Sequence, residues 1–191
     1  MKNWLIAFVA LFVVTGCTQS SVPVQNLPEI TFKHLKPIAL DVAVIDIVDQ
    51  SSDGMGGKHV EHLFPTAPKT AVHNWVRDRL VATGASGSAR VIINDASALE
   101  EKLKTTSGIK GVFTNDQSER YTTNVDVRIE LFDAANTPTG FASAKATRSK
   151  TFAEDFTLLE REKAWFDLVE QMMADFDRVM VENMKARLKL K

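Results

Sequence analysis

Few residues in this chain have the type and spacing that chemistry needs. Cys17 is the only cysteine, which rules out a disulfide within the chain and leaves no second thiol for a redox pair. His59-Val60-Glu61-His62 is the densest set of metal-ligating side chains and sits beside a glycine-rich stretch. Its spacing differs from the His-Glu-x-x-His pattern that places two imidazoles on one helical face. His34 and His73 lie elsewhere, so no metal site is assigned. Gly54-Met55-Gly56-Gly57 offers backbone amides to a phosphate but lacks the Lys-Ser/Thr pair of a P-loop and leads into no immediate helix. Asp116, Glu119, Glu154 and Asp155 are loop carboxylates with no fixed separation and read as solvated charges. No Gly-x-Ser-x-Gly elbow is present. These residues nominate no catalytic group, and the chain is expected not to be an enzyme and to carry no dissociable cofactor.

The surroundings of Cys17 are more specific. Met1-Lys2-Asn3 brings one side-chain charge, and Trp4 to Val14 follows without a polar residue. That run is short of the roughly 20 apolar residues of a membrane-spanning helix. It matches the apolar region of a secretory signal peptide. Val14-Thr15-Gly16-Cys17 then resembles the lipobox of bacterial lipoproteins: an aliphatic residue, two small residues and a cysteine. The alternative is a plain signal peptide with a chance cysteine. The resemblance implies cleavage between Gly16 and Cys17, a diacylglyceryl group on the thiol, and an acyl chain such as palmitate on the new amine. It makes residues 1–16 a signal peptide and sets the mature protein at the periplasmic face of the cell envelope. Thr18 stands where an aspartate often retains lipoproteins in the inner membrane, so the outer membrane is favoured.

The remainder, about 175 residues, suits one domain, with 45% hydrophobic and 25% charged residues in the whole chain. The net charge of −1, or −2 once Lys2 is removed, argues against nucleic acid as a partner. Residues 17–37 read as the lipidated cysteine and a polar, proline-bearing tether, and residues 38–191 as a single periplasmic domain. Ile38 to Val48 is apolar on both alternating faces and is expected to be a strand buried on both sides. Pro68 opens a helix with Thr66 or Ala67 at its cap, carrying Val72, Trp75, Val76 and Leu80 on one face and ending at Gly84. Ala89 to Asp95 is a second strand. Residues 96–103 fit either a continued strand or a short helix, and 104–119 a loop.

Tyr121 to Leu131 alternates strictly, with Tyr121, Thr123, Val125, Val127, Ile129 and Leu131 on one face, the pattern of a strand with one wet side. After a turn over 133–140, Phe141 to Phe152 is its hairpin partner. One face of that strand carries Ala142, Ala144 and Ala146, which would let a helix approach closely or leave room for an apolar guest. Thr157-x-x-Glu160 is a capping box, and Trp165, Leu168, Val169, Met172, Phe176, Val179 and Met180 form an apolar stripe. Met184 and Leu188 could extend it. A helix from 158 to about 187 spans about 45 Å, so its last turns are expected to overhang a small sheet. There Met172, Phe176, Met180 and Met184 would contact a partner or a lipid. Lys185, Arg187, Lys189 and Lys191 complement the helix dipole at that end. The fold class is α+β: a two-layer sandwich with a mostly antiparallel sheet of about four strands, helices on one face, and a long C-terminal helix.

This layout resembles two groups of small envelope lipoproteins, the auxiliary lipoproteins of ABC-type lipid transport systems and the lipopolysaccharide-assembly lipoproteins. Glu61-His-Leu-Phe-Pro, Asp116-Gln-Ser-Glu-Arg-Tyr and Arg161-Glu-Lys-Ala-Trp-Phe also look like stretches of uncharacterised bacterial lipoproteins of similar length. The resemblance implies a membrane-anchored, non-enzymatic accessory subunit of an envelope transport or assembly system, with an envelope protein as partner. A lipid-binding periplasmic carrier using the alanine face is the alternative.

Overall fold

The strict alternation of residues 121–131 marks the central element. In the computed structural model, which describes residues 27–51, 58–103 and 117–188, this stretch belongs to a longer strand, Gln117–Phe132 (β6). It turns at Asp133, whose carboxylate accepts the N–H groups of Ala135 and Thr137 at 2.9 and 2.8 Å. The chain returns as Pro138–Ala153 (β7), antiparallel to β6. Val125, Val127, Ile129, Ala142 and Ala144 are buried on one face of this hairpin.

Ser88–Asp95 (β4) and Ala98–Lys102 (β5) run along the other side of β6 as one strand broken by a bulge. The undecided stretch 96–103 is thus mainly strand. Val44–Asp49 (β2) pairs with β4 in parallel, and the chain between them includes the helix Pro68–Arg79 (α1). The sheet has five strands and is mixed, with antiparallel pairings in the majority.

The run 38–48 is not one buried strand. Ile38–Leu40 (β1) pairs in parallel with Leu80–Ala82 (β3) in a separate two-stranded sheet, and the chain then steps across at Asp41–Ala43 to become β2. The step needs Gly84: a Cβ there would lie 2.6 Å from both Asp41 C and Val42 N. Gly84 is therefore a close-approach glycine and not the cap of α1. That helix stops at Arg79 because the chain passes directly into β3, and Leu80 N–H still donates to Val76 O. Gly84→Ala is expected to cost about 1–3 kcal/mol, as overpacking does, read as a shift in urea midpoint with unchanged slope.

The last helix, Leu158–Arg187 (α2), begins at the capping box: Thr157 Oγ1 accepts Glu160 N–H, and Glu160 Oε2 accepts Thr157 N–H at 2.8 Å. It lies antiparallel along β7. Arg148 donates to Asp175 at 2.6 Å, and Asn183 Nδ2 donates to Ser143 O at 2.7 Å. At the far end a Cβ on Gly140 would stand 3.3 Å from Leu188. The expected overhang does not occur. At about 3.3 Å per residue, a 16-residue strand spans about 53 Å and is long enough to floor the whole helix. Met172, Phe176, Met180 and Met184 are fully buried and Leu188 is 4% exposed. Both helices cover the same sheet face, with Trp75 of α1 and Phe176 of α2 in edge-to-face contact at 5.0 Å.

The packed body also starts before Ile38. Ile30 and Phe32 are each 5% exposed, and burial of such side chains contributes about 1.5–3 kcal/mol apiece. Polar groups of α1 hold this segment in place. Asn74 Nδ2 donates to Ile30 O at 3.0 Å, Phe32 N–H donates to Asp78 at 3.0 Å, and Arg79 donates to Lys36 O. The tether reading of residues 27–37 is thus corrected, because its two apolar side chains find a slot beside α1 and α2.

Two of the straps are acidic. Burial raises the Asp78 carboxyl, but Arg77, the Phe32 N–H and Lys33 outweigh it and lower its pKa. Burial likewise raises Glu119, and Arg161 with the Tyr121 hydroxyl reverses the sign. Carboxyls lowered in the fold stabilise it above their unfolded pKa and lose that contribution as pH falls through the folded value. The melting temperature is expected to be flat from pH 7 to about 5 and to fall below about pH 4.5, the unfolded carboxylate range. Asp78→Asn should flatten the acid limb in thermal melts.

Candidate functional site

The structure moves most of the nominated contact residues into the core. Met172, Phe176, Met180 and Met184, offered for a partner or lipid, face the sheet. Ala142 is fully buried, Ala144 is 3% exposed and Ala146 packs partly buried against the core. The small side chains let α2 approach closely, which fills the space that an apolar guest would need. Gly16 and Cys17 lie outside the described residues, as do the rest of the signal peptide, the tether up to residue 26, the 54–57 glycines, residues 104–116 with Asp116, and residues 189–191.

The histidine cluster is a strap. His59 Nδ1 and Glu61 Oε1 are 2.9 Å apart, and the same oxygen accepts Ala98 N–H at 2.9 Å. This fixes the single 3-10 turn Glu61–Leu63 to β5. Among the described residues, no three His, Cys, Asp or Glu side chains converge as a metal site would need. Glu119 accepts from Tyr121 at 3.0 Å and pairs with Arg161. Burial and the neighbouring Glu119 raise the Tyr121 phenol pKa, so this trio is a closed ion pair over the aromatic cluster of Phe64, Tyr121, Phe152 and Trp165.

What remains open is the edge formed by β2. Among the described residues no strand pairs with its outer side, so alternate N–H and C=O groups point away from the sheet. Val44 is 46% and Ile47 38% exposed, although the sequence pattern placed both inside. Beside this edge runs a groove of about 380 Å³ lined by Ile45, Ile47, His73, Asn74, Val76, Arg77 and Leu80. Lys69 of α1 ties down the end of β2 by meeting Asp49 at 2.8 Å. Burial raises the Asp49 carboxyl, but Lys69 and the two Ser51 donors dominate and bring its pKa to about 2. The opposite edge strand, β7, is guarded by Lys145 paired with Asp126, by Arg148 paired with Asp175, and by Lys150. Charges of this kind discourage strand addition. Asp46, set in the middle of an otherwise aliphatic stretch, is the sequence signal that one face of β2 is wet.

An apolar edge strand flanked by a helix can accept an extended segment: backbone groups supply affinity and side-chain slots supply selectivity. That is a binding geometry.

No family model and no curated protein sequence matches the chain. Among solved structures it is similar to rare lipoprotein B from Shewanella oneidensis, with 13% sequence identity over 74% of this chain and 94% of that one, at a TM-score of 0.34. Among the described residues no helix is long and apolar enough to cross a membrane.

Proposed function

We propose that the protein is a lipid-anchored envelope lipoprotein that acts without catalysis, as an accessory subunit holding a partner protein by strand addition to β2. The carrying observation is the exposed apolar edge, Val44 to Asp49, beside the α1 groove. The Val14–Cys17 motif supplies the location, at the periplasmic face and by preference on the outer membrane. The alternative of a lipid carrier loses its main support, since α2 occupies the alanine face.

The test is purification of the native lipoprotein after crosslinking in cells, beside a Val44→Lys/Ile47→Lys chain. Surface substitutions of this kind shift stability by only about 0.5 kcal/mol, and a thermal melt verifies that the variant is folded. A discrete envelope protein captured by the native chain and lost from the folded variant supports the reading. Equal capture by both sinks it.

A further inference from the structure

The far end of the β6–β7 hairpin carries a second surface that partner binding at β2 does not use. On the wet face of the sheet, opposite the helices, the Arg90 guanidinium lies 4.7 Å from the Phe132 ring centre and that of Arg128 lies 3.8 Å from Phe141. Arg187, in the last turn of α2, reaches Phe141 from the side at 5.9 Å. Phe141 is 39% exposed. Arg90, Arg128, Phe132 and Phe141, with Glu130 and Gly140, border an open depression of about 570 Å³. Glu130 neutralises Arg128 at 2.7 Å, and Asp133 is engaged by the turn amides. Arg90 and Arg187 have no carboxylate within ion-pair distance among the described residues. In a chain of net charge −1, this end is locally cationic and aromatic.

We infer that this end of the domain rests on the bilayer surface, with Arg90 and Arg187 taking anionic phospholipid headgroups and Phe141 seated at the interface. The inference rests on the lipid-anchor reading. Arginine beside an exposed aromatic ring is the chemistry that anionic headgroups over an apolar layer select. Reach is consistent. The described chain begins where Pro28 and Glu29 lie beside Phe166 and Glu170 of α2. Arg187 is 17 to 21 residues further along that helix, about 25–32 Å at about 1.5 Å per residue. Leu27 is ten residue steps beyond Cys17, a separation of at most about 35 Å. An anchored Cys17 therefore allows the patch to meet the same membrane. β2 lies at the opposite edge of the sheet from β7, and its Val44 end shares the register row of Ser88, Phe132 and Pro138, so the docking edge starts near the lipid and runs away from it towards Asp49.

The test uses the mature lipoprotein in vesicles of zwitterionic phospholipid with or without phosphatidylglycerol. Cys17 is capped by its lipid, so a nitroxide goes only to Thr139→Cys, or to Ser149→Cys some ten residues along the same strand. The Thr139 probe is expected at headgroup depth with phosphatidylglycerol, and the Ser149 probe in water. Arg90→Gln/Arg187→Gln is expected to cut the membrane-contacting population about 25-fold, about a factor of five per basic side chain, with an unchanged thermal melt. Anchored protein with both probes in water, or a depth indifferent to phosphatidylglycerol, would overturn the inference. So would a double variant that keeps its probe depth but loses a co-purifying protein. A mass showing no lipid on Cys17 would overturn the anchor reading and the reach argument with it.

Discussion

Replacing Asp177 with alanine is expected to destabilise the fold by about 3–5 kcal/mol, the cost of orphaning a buried charge. Asp177 Oδ1 accepts Trp75 Nε1–H at 2.8 Å and Arg79 Nε–H at 2.8 Å. Arg79 is only 5% exposed and Trp75 is fully buried. Without the carboxylate, the guanidinium keeps, among the described residues, the Lys36 carbonyl, and the indole N–H loses its acceptor. Three parts of the molecule meet at this carboxylate: α1, α2 and the segment leading into β1. The loss should therefore appear as one cooperative shift in urea midpoint. Arg178→Ala is the contrast. Its side chain is 68% exposed and meets Asp175 at 3.7 Å, so its removal is expected to cost under about 1 kcal/mol. A double change, Arg79→Met with Asp177→Leu, should recover much of the stability by removing both charges.

Replacing Cys17 with alanine is expected to move essentially all of the protein out of the membrane fraction, with the melting temperature of the domain unchanged. Two or three acyl chains hold a protein in a bilayer where one holds it only reversibly, and the sequence has no second cysteine to take them. The described domain begins at Leu27, and the core that holds it together is built from residues 30–188. Fractionation and intact mass check this outcome. A variant that stays membrane-bound after high-salt washing would contradict it.

The elements with a strict period were legible. Alternation gave the β6 strand, and Thr157 with Glu160 gave the start of α2 to the residue. The end of α2 was also readable, because its stripe runs to Met184 and Leu188. What the pattern could not convey was who lies opposite. The methionine stripe reads the same whether it meets a sheet or a partner. Only the 16-residue length of β7 shows that the sheet reaches far enough to cover it. The ends of that hairpin were hidden because Gln117–Arg120 and Pro138–Gly140 are polar or turn-like. Likewise, Ile38 to Val48 looks like one buried strand because both halves are aliphatic. The break at Asp41–Ala43 depends on Gly84, some forty residues away, and no local signal reports it. Ile30 and Phe32 were masked by the prolines around them. For the binding surfaces, residue types were visible but not their company: Arg90 and Phe132 are on different strands and meet only across a ladder.

The most direct test of the central claim, that β2 docks a partner, places a photoreactive residue at Val44 in the lipoprotein expressed in its own cells. Illumination followed by mass spectrometry reads what lies against that edge. The account predicts one covalent adduct with an extended segment of an envelope protein, absent when the photoreactive residue is placed instead at Lys150 on the guarded edge. An adduct pattern that is the same from both positions, or none from Val44 in folded, membrane-bound protein, would contradict it.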